Sequence, residues 1–244
     1  SRILAFNVDA GALHKCDAVT GTNKSDQRRW SKVWFGFPHV GAGHKDEHRN
    51  VLANQLLILR FLISVAPYLT EGPLPEAIQG RKRRAASEDD EDDEEPIEAA
   101  DDEPDVSATS VPPRRQGSVL ITIRNVVPYT LWNIPMLGKR LRDVLQPIAA
   151  SAPSPPKGIR APTVSDVDKN GAQYVLWRSF EFVPSNWPGY SHRRTVGFVE
   201  GLSTSHNEDL LRRPTQPPQQ GQPSGRHVGT GECRTYELAL QPVH

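Results

Sequence analysis

Apolar residues run almost unbroken through RILAFNV (Arg2 to Val8), SKVWFGF (Ser31 to Phe37) and GSVLITIR (Gly117 to Arg124). A strand with one face in water alternates apolar and polar side chains, whereas near-continuous runs of this length belong to strands buried on both faces. Between the second and third runs the period changes. Val51, Leu52, Gln55, Leu56, Leu59, Leu62, Ile63 and Ala66 supply a wide helical face, with Asp46 placed to cap it and Glu71-Gly72 to stop it. Strand, helix, strand in this order predicts a crossover and a parallel pair, hence an α/β sheet. Farther on, PYTLWNIPMLGKRLRDVL predicts a loop and then a helix, followed by a Pro/Ala/Ser linker near Ala149 to Lys157. YVLWRSFEFVP (Tyr174 to Pro184) and CRTYELAL (Cys233 to Leu240) predict two last strands that can pair as a hairpin across the segment between them.

Composition divides this pattern. The 244 residues include 22 prolines and 18 glycines, too many for compact structure throughout. Pro73 to Arg115 opens with RKRR and continues into SEDDEDDEEPIEAADDEPD, with too few apolar groups to offset the entropy of ordering it. Ser203 to Gly231 is rich in Pro, Gln and Gly. The expected organisation is one α/β domain from 1–72, 116–202 and 232–241, carrying disordered insertions at 73–115 and 203–231. RKRR reads equally as a nuclear-import signal or as part of a charge-balanced solvated loop. The formal charge of zero conceals an asymmetry, because the span from Arg81 to Asp105 holds 13 of the 29 acidic residues and few of the basic ones. The remainder is basic and suits a polyanionic partner. Cys16 and Cys233 fit no metal or redox spacing, so a reducing compartment is expected. Val51 to Leu69 is apolar but contains Asn54, Gln55, Arg60 and Pro67, which predicts a buried helix and not a membrane span.

In an open parallel sheet, ligands bind at the carboxyl ends of the strands. Asp9 follows the first run, Phe37-Pro38-His39 the second, and Asn125 with Pro128-Tyr129 the third. A carboxylate there can accept from a ribose hydroxyl, and an aromatic-proline-histidine loop can hold a flat acceptor. HKDEH (His44 to His48) matches H-x-x-E-H in form, but that zinc site needs both histidines inside a helix, and Asp46 starts the helix between them. NWPGYSHRRTVG gathers Trp187, Tyr190, His192, Arg193 and Arg194 in one loop. Rings stack on unpaired bases and arginines grip phosphate, although Trp187 and Tyr190 could equally cover a core.

Five blocks in order, VDAGAL, FGFPHVG, DEHRNVLANQLLILRFL, GSVLITIRNVVPYTLWNI and WPGYSHRRT, give the chain a resemblance to the eukaryotic large-subunit rRNA uridine-N3 methyltransferase family. The resemblance implies a Rossmann-like class I methyltransferase sheet, S-adenosylmethionine as cofactor, and transfer of a methyl group to N3 of a uridine in large-subunit rRNA. It also implies a nuclear, and within that nucleolar, location. It puts Asp9 near the adenosine end of the cofactor and Phe37, Pro38 and His39 between methyl donor and base. His39 is then the candidate base for the N3 proton, and Trp187, Tyr190, His192, Arg193 and Arg194 are candidates for binding RNA. Two departures stand out: Gly36 occupies a position where the family usually has Asn, and the family's first two strands, with the glycine-rich loop between them, have no counterpart here. The expectation is therefore a sheet lacking those strands, with a loosely attached first run and weak cofactor binding. A non-catalytic RNA-binding or ribosome-assembly protein of the same fold is the alternative.

Overall fold

The computed structural model describes residues 5–22, 28–41, 46–74, 115–155, 158–188, 190 and 233–242. In chain order these form a 3-10 turn (Ala10–Lys15), α1 (Asp17–Thr20), β1 (Lys32–Gly36), α2 (Glu47–Val65) prolonged by a 3-10 turn (Ala66–Tyr68), and β2 (Ser118–Arg124). A 3-10 turn (Tyr129–Trp132), α3 (Ile134–Lys139), α4 (Leu141–Ser151), α5 (Val164–Asn170), β3 (Tyr174–Glu181), a further turn (Pro184–Asn186) and β4 (Cys233–Leu240) complete them.

The helix starts where its cap residue stands. The Asp46 carboxylate accepts from the Arg49 backbone N–H at 2.9 Å, satisfying one of the free donors of the first turn. Ile58, Leu59, Leu62 and Val65 are wholly buried. By length and composition Glu47–Tyr68 could cross a membrane, but 72% of its apolar window is buried inside the protein, as expected of a core helix. The four strands are ordered β1-β2-β4-β3. β1 and β2 are parallel, as strand-helix-strand predicts, and β4 is antiparallel to both β2 and β3, so the expected late hairpin forms with β4 inserted into the sheet.

The two faces of the sheet differ. Val119, Ile121 and Ile123 of β2, Leu238 and Leu240 of β4 and Tyr174 of β3 share one core with α2, Ile134 and Leu137 of α3, and Leu141, Leu145 and Ile148 of α4. The buried Tyr174 hydroxyl donates to the Leu62 carbonyl at 2.7 Å, fastening β3 to α2. The opposite face carries polar groups. Glu237, fully buried, accepts from Lys32 Nζ (2.7 Å), Ser118 Oγ (2.6 Å) and Arg178 Nε (2.7 Å), and so links all four strands. Burial alone would raise its pKa, but these donors outweigh that effect and hold it below the usual value.

The structure corrects the sequence reading in four places. The expected strand from Arg2 to Val8 does not form over residues 5–8, and Arg2 to Leu4 lie outside the described residues. Phe6 is 78% exposed, and Asn7 takes a left-handed conformation (φ 55°) that breaks an extended backbone before Asp9 caps the next turn. β1 is not buried on both faces. It is one of the two edge strands of the sheet among the described residues, with Val33 and Phe35 turned to the core and Trp34 46% exposed on the other side. The linker expected from Ala149 begins later, because α4 runs on to Ser151. α5, which the hydrophobic pattern did not announce, is started by a capping box between Thr163 and Asp166. The two ends of the Pro73 to Arg115 segment lie side by side: Gln116 N donates to the Pro73 carbonyl at 3.1 Å, and Thr70 Oγ1 to the Arg115 carbonyl at 2.9 Å. Residues 75–114, including RKRR, and 191–232 lie outside the described residues, so both expected insertions fall almost wholly there.

Candidate active site

The carboxyl end of β1 turns directly into Phe37-Pro38-His39. Phe37 holds a left-handed backbone (φ 50°), uncommon for a bulky residue, and its N–H donates to the Thr122 carbonyl of β2 at 2.8 Å. Pro38 is buried and His39 exposed. The next two N–H groups fix the rest of the loop. Val40 N donates to Asn54 Oδ1 at 2.9 Å, and Gly41 N to His39 Nδ1 at 2.8 Å. Asn54 is buried on α2 and oriented by its own amide, which donates to the carbonyl and side-chain oxygen of Asn50 one turn earlier. β2 and α2 therefore hold the loop from opposite ends, and His39 is presented at its tip. Desolvation of the imidazole against the loop lowers its pKa from the ordinary histidine value and favours the neutral ring.

Beside His39 stands Trp132, with ring centroids 6.2 Å apart, and beside Trp132 stands Tyr129 at 5.1 Å. The Arg124 guanidinium, at the end of β2, lies 6.0 Å over the Tyr129 ring. Trp132 Nε1 and Arg124 Nε are buried donors without a hydrogen-bond partner among the described residues. Native interiors rarely leave such groups unsatisfied, and each calls for an explanation.

A second cluster lies on the other side of the loop. Trp34 stacks on Trp187 (6.2 Å, 19°) and lies 5.7 Å from both Phe182 and Tyr190, while Phe37 meets Phe182 edge-on at 5.9 Å. The Trp34 indole donates to Thr122 Oγ1 at 2.8 Å and lies along the strand over Gly36, where a Cβ would come within 3.1 Å of the ring. A side chain at residue 36 would therefore crowd the Trp34 ring. Burial and the nearby Cys233 sulfur push the Tyr190 hydroxyl up to about 12, so it stays a neutral donor.

The structure thus brings Phe37 together with Trp187 and Tyr190, and places His39 on the Trp132 side. Asp9 stands with α2, where its carboxylate accepts from Gly11 N at 2.8 Å and pairs with Arg60 Nη2 at 3.1 Å. Gly11 permits that pair, since a Cβ there would meet the guanidinium at 2.6 Å. Asp9 keeps a side-chain exposure of 41%, so unused carboxylate lone pairs still reach solvent. His192, Arg193, Arg194 and His44 of the HKDEH run lie outside the described residues. Among the described residues no cluster of His, Cys, Asp or Glu could hold a metal ion. Sequence reasoning missed Trp34, Asn54, Thr122, Trp132 and Phe182. The Asn50/Asn54 spacing on the helix was the one readable signal, since two amides four apart share a face.

These features define the class: an α/β protein with its candidate ligand loops at the carboxyl ends of two parallel strands. The sequence profile of the family described as BMT5-like, rRNA (uridine-N3-)-methyltransferase BTM5-like, matches residues 2–194. The chain belongs to that family. Among curated proteins it is similar to the 25S rRNA (uridine(2634)-N(3))-methyltransferase of Saccharomyces cerevisiae (strain ATCC 204508 / S288c), 25% identical over 202 residues that cover 78% of this chain and 47% of the relative. The chain thus spans about half the length of the curated relative it matches. No solved structure matches it.

Proposed function

We propose that the protein is an S-adenosylmethionine-dependent rRNA methyltransferase that modifies N3 of a uridine in large-subunit rRNA, on a Rossmann-like sheet, in the nucleus and within it the nucleolus. The carrying observation is the family match over residues 2–194, which takes in the Phe37-Pro38-His39 loop, the helix that anchors it and the Trp187 to Arg194 segment. S-adenosylmethionine supplies an activated methyl group on a sulfonium. Asp9, at the end of the first run and with lone pairs still open to solvent, suits a ribose hydroxyl, and the Phe37-Pro38 turn suits the flat space between donor and base. Trp187 and Tyr190, clustered with Trp34, suit stacking on unpaired bases, which tolerates any base because each has a π-face. Arg193 and Arg194 are assigned to the RNA backbone.

The test is transfer of labelled methyl from S-adenosylmethionine to a large-subunit rRNA transcript, followed by nucleoside analysis. N3-methyluridine is the expected product. A folded chain that leaves the RNA unmodified overturns the reading. Replacing Arg193 and Arg194 together by alanine should weaken RNA binding and flatten its salt dependence while leaving cofactor affinity near the parent value. An unchanged salt slope counts against the assignment.

A further inference from the structure

We propose that His39 acts on the uracil ring as a hydrogen-bond donor, through Nε2–H to a ring carbonyl oxygen, and not as the base that removes the N3 proton. The proposal rests on the reading of the chain as a uridine-N3 methyltransferase, and deepens it.

The backbone N–H of Gly41 has one hydrogen to give and gives it to His39 Nδ1 at 2.8 Å. A neutral imidazole carries one in-plane lone pair and one N–H. With the lone pair of Nδ1 engaged, the ring proton must sit on Nε2, and the nitrogen at the tip of the loop has no lone pair with which to take a proton. Desolvation lowers the pKa of the ring from its ordinary value, which favours the neutral tautomer as the state a ligand meets. Val40 N to Asn54 and Phe37 N to Thr122 hold the loop on either side of the ring.

Neighbouring groups have the same character. Trp132, whose ring centroid lies 6.2 Å from that of the imidazole, has an indole N–H without a partner among the described residues, and Arg124 Nε, farther off beside Tyr129, is likewise unpartnered there. Asp9, the one carboxylate that the family resemblance brings to the site, is paired with Arg60. Trp132 beside His39 is thus itself a donor, and a donor has a use in this chemistry. Uracil N3 lies between two carbonyls. When N3 loses its proton to water, the negative charge is shared by O2 and O4, and N3 then presents the lone pair that forms the new bond to carbon. A fixed N–H directed at one of those oxygens stabilises the anion and lowers the pKa of N3 without itself exchanging a proton.

Two measurements on the chain of residues 1–244 test this. Two-bond 1H–15N correlation of the histidine side chains, with His39 assigned by its loss in His39→Gln, should give the Nε2–H tautomer at neutral pH; an Nδ1–H tautomer or an imidazolium overturns the proposal. In methyl transfer to large-subunit rRNA, His39→Ala should lose about 10²–10³-fold, the usual effect of removing one such donor. His39→Gln, which places an amide N–H near the position of Nε2 but is no base, should stay within about tenfold of the parent. His39→Glu, a base without a donor, should resemble the alanine variant. Glutamine as inactive as alanine, or glutamate more active than glutamine, overturns the donor role. A parent chain that transfers no methyl counts against the functional reading and leaves the tautomer to decide the state of His39.

Discussion

Asn54 shows how much depends on single side chains. It sits on the most apolar helix of the protein, where a polar residue costs free energy unless its hydrogen bonds are made, and all of those described are made: two from its amide to Asn50 and one from Val40 N to its oxygen. Asn54→Leu would leave Val40 N–H without its acceptor, at about 1–3 kcal/mol. The expected result in denaturant unfolding is a loss of that size, accompanied by a shift of the His39 imidazole signals. A variant with unchanged His39 signals would show that the loop is held by other contacts. Trp34 and Gly36 make a similar pair, since a Cβ at residue 36 would press on the indole at 3.1 Å. Gly36→Asn, which puts a Cβ against that ring, should force the indole to shift. The measurement is Trp34 fluorescence, and an unchanged spectrum would show that the ring keeps its place.

At the scale of elements, the polar face of the sheet is tied by Glu237. β1, β2 and β3 each send one donor to the same β4 carboxylate, from Lys32, Ser118 and Arg178. Its pKa is depressed in the folded protein, so its contribution to stability is complete above the unfolded-state value near 4.5 and is lost as pH falls through the lower folded value. The protein should therefore lose stability on acidification below about pH 4.5. Glu237→Gln should remove that part of the pH dependence and cost about 1.5–3 kcal/mol at neutral pH. Denaturant melts at pH 3.5 and 7 for both proteins check this, and parallel losses in the two would refute it. Arg178 also lies 4.8 Å over the Trp177 ring, so part of its placement survives loss of the carboxylate.

For the whole molecule, the segment between α2 and β2 decides how the fold tolerates insertion. Pro73 and Gln116 are hydrogen-bonded to each other, and Gly72 N donates to Gln116 Oε1 at 2.9 Å, so the chain leaves and returns at one point. Closing a long loop costs little more than closing a short one, because the entropy grows only with the logarithm of length. Replacing residues 75–114 by a short Gly/Ser turn should leave the thermal midpoint close to the parent. Loss of folding would mean that the segment contributes to the core.

Much of this architecture was legible along the chain. The helix from Asp46, the parallel pair on either side of it and the late antiparallel pair follow from hydrophobic period and capping chemistry, which act over a few residues. The five motif blocks carry the family. The run from Arg2 to Val8 misled, because an apolar composition gives a strand only where a partner edge and a backbone free of left-handed residues allow it, and Asn7 is left-handed here. The character of the site was decided by tertiary structure alone. The sequence contains a histidine after a proline; only the folded loop brings Gly41 N–H to Nδ1, with Asn54 fourteen residues away holding the loop in place, and so determines which nitrogen of His39 carries the proton. The physical reason is that a tautomer depends on one hydrogen bond at 2.8 Å, a distance that no periodicity in the sequence encodes.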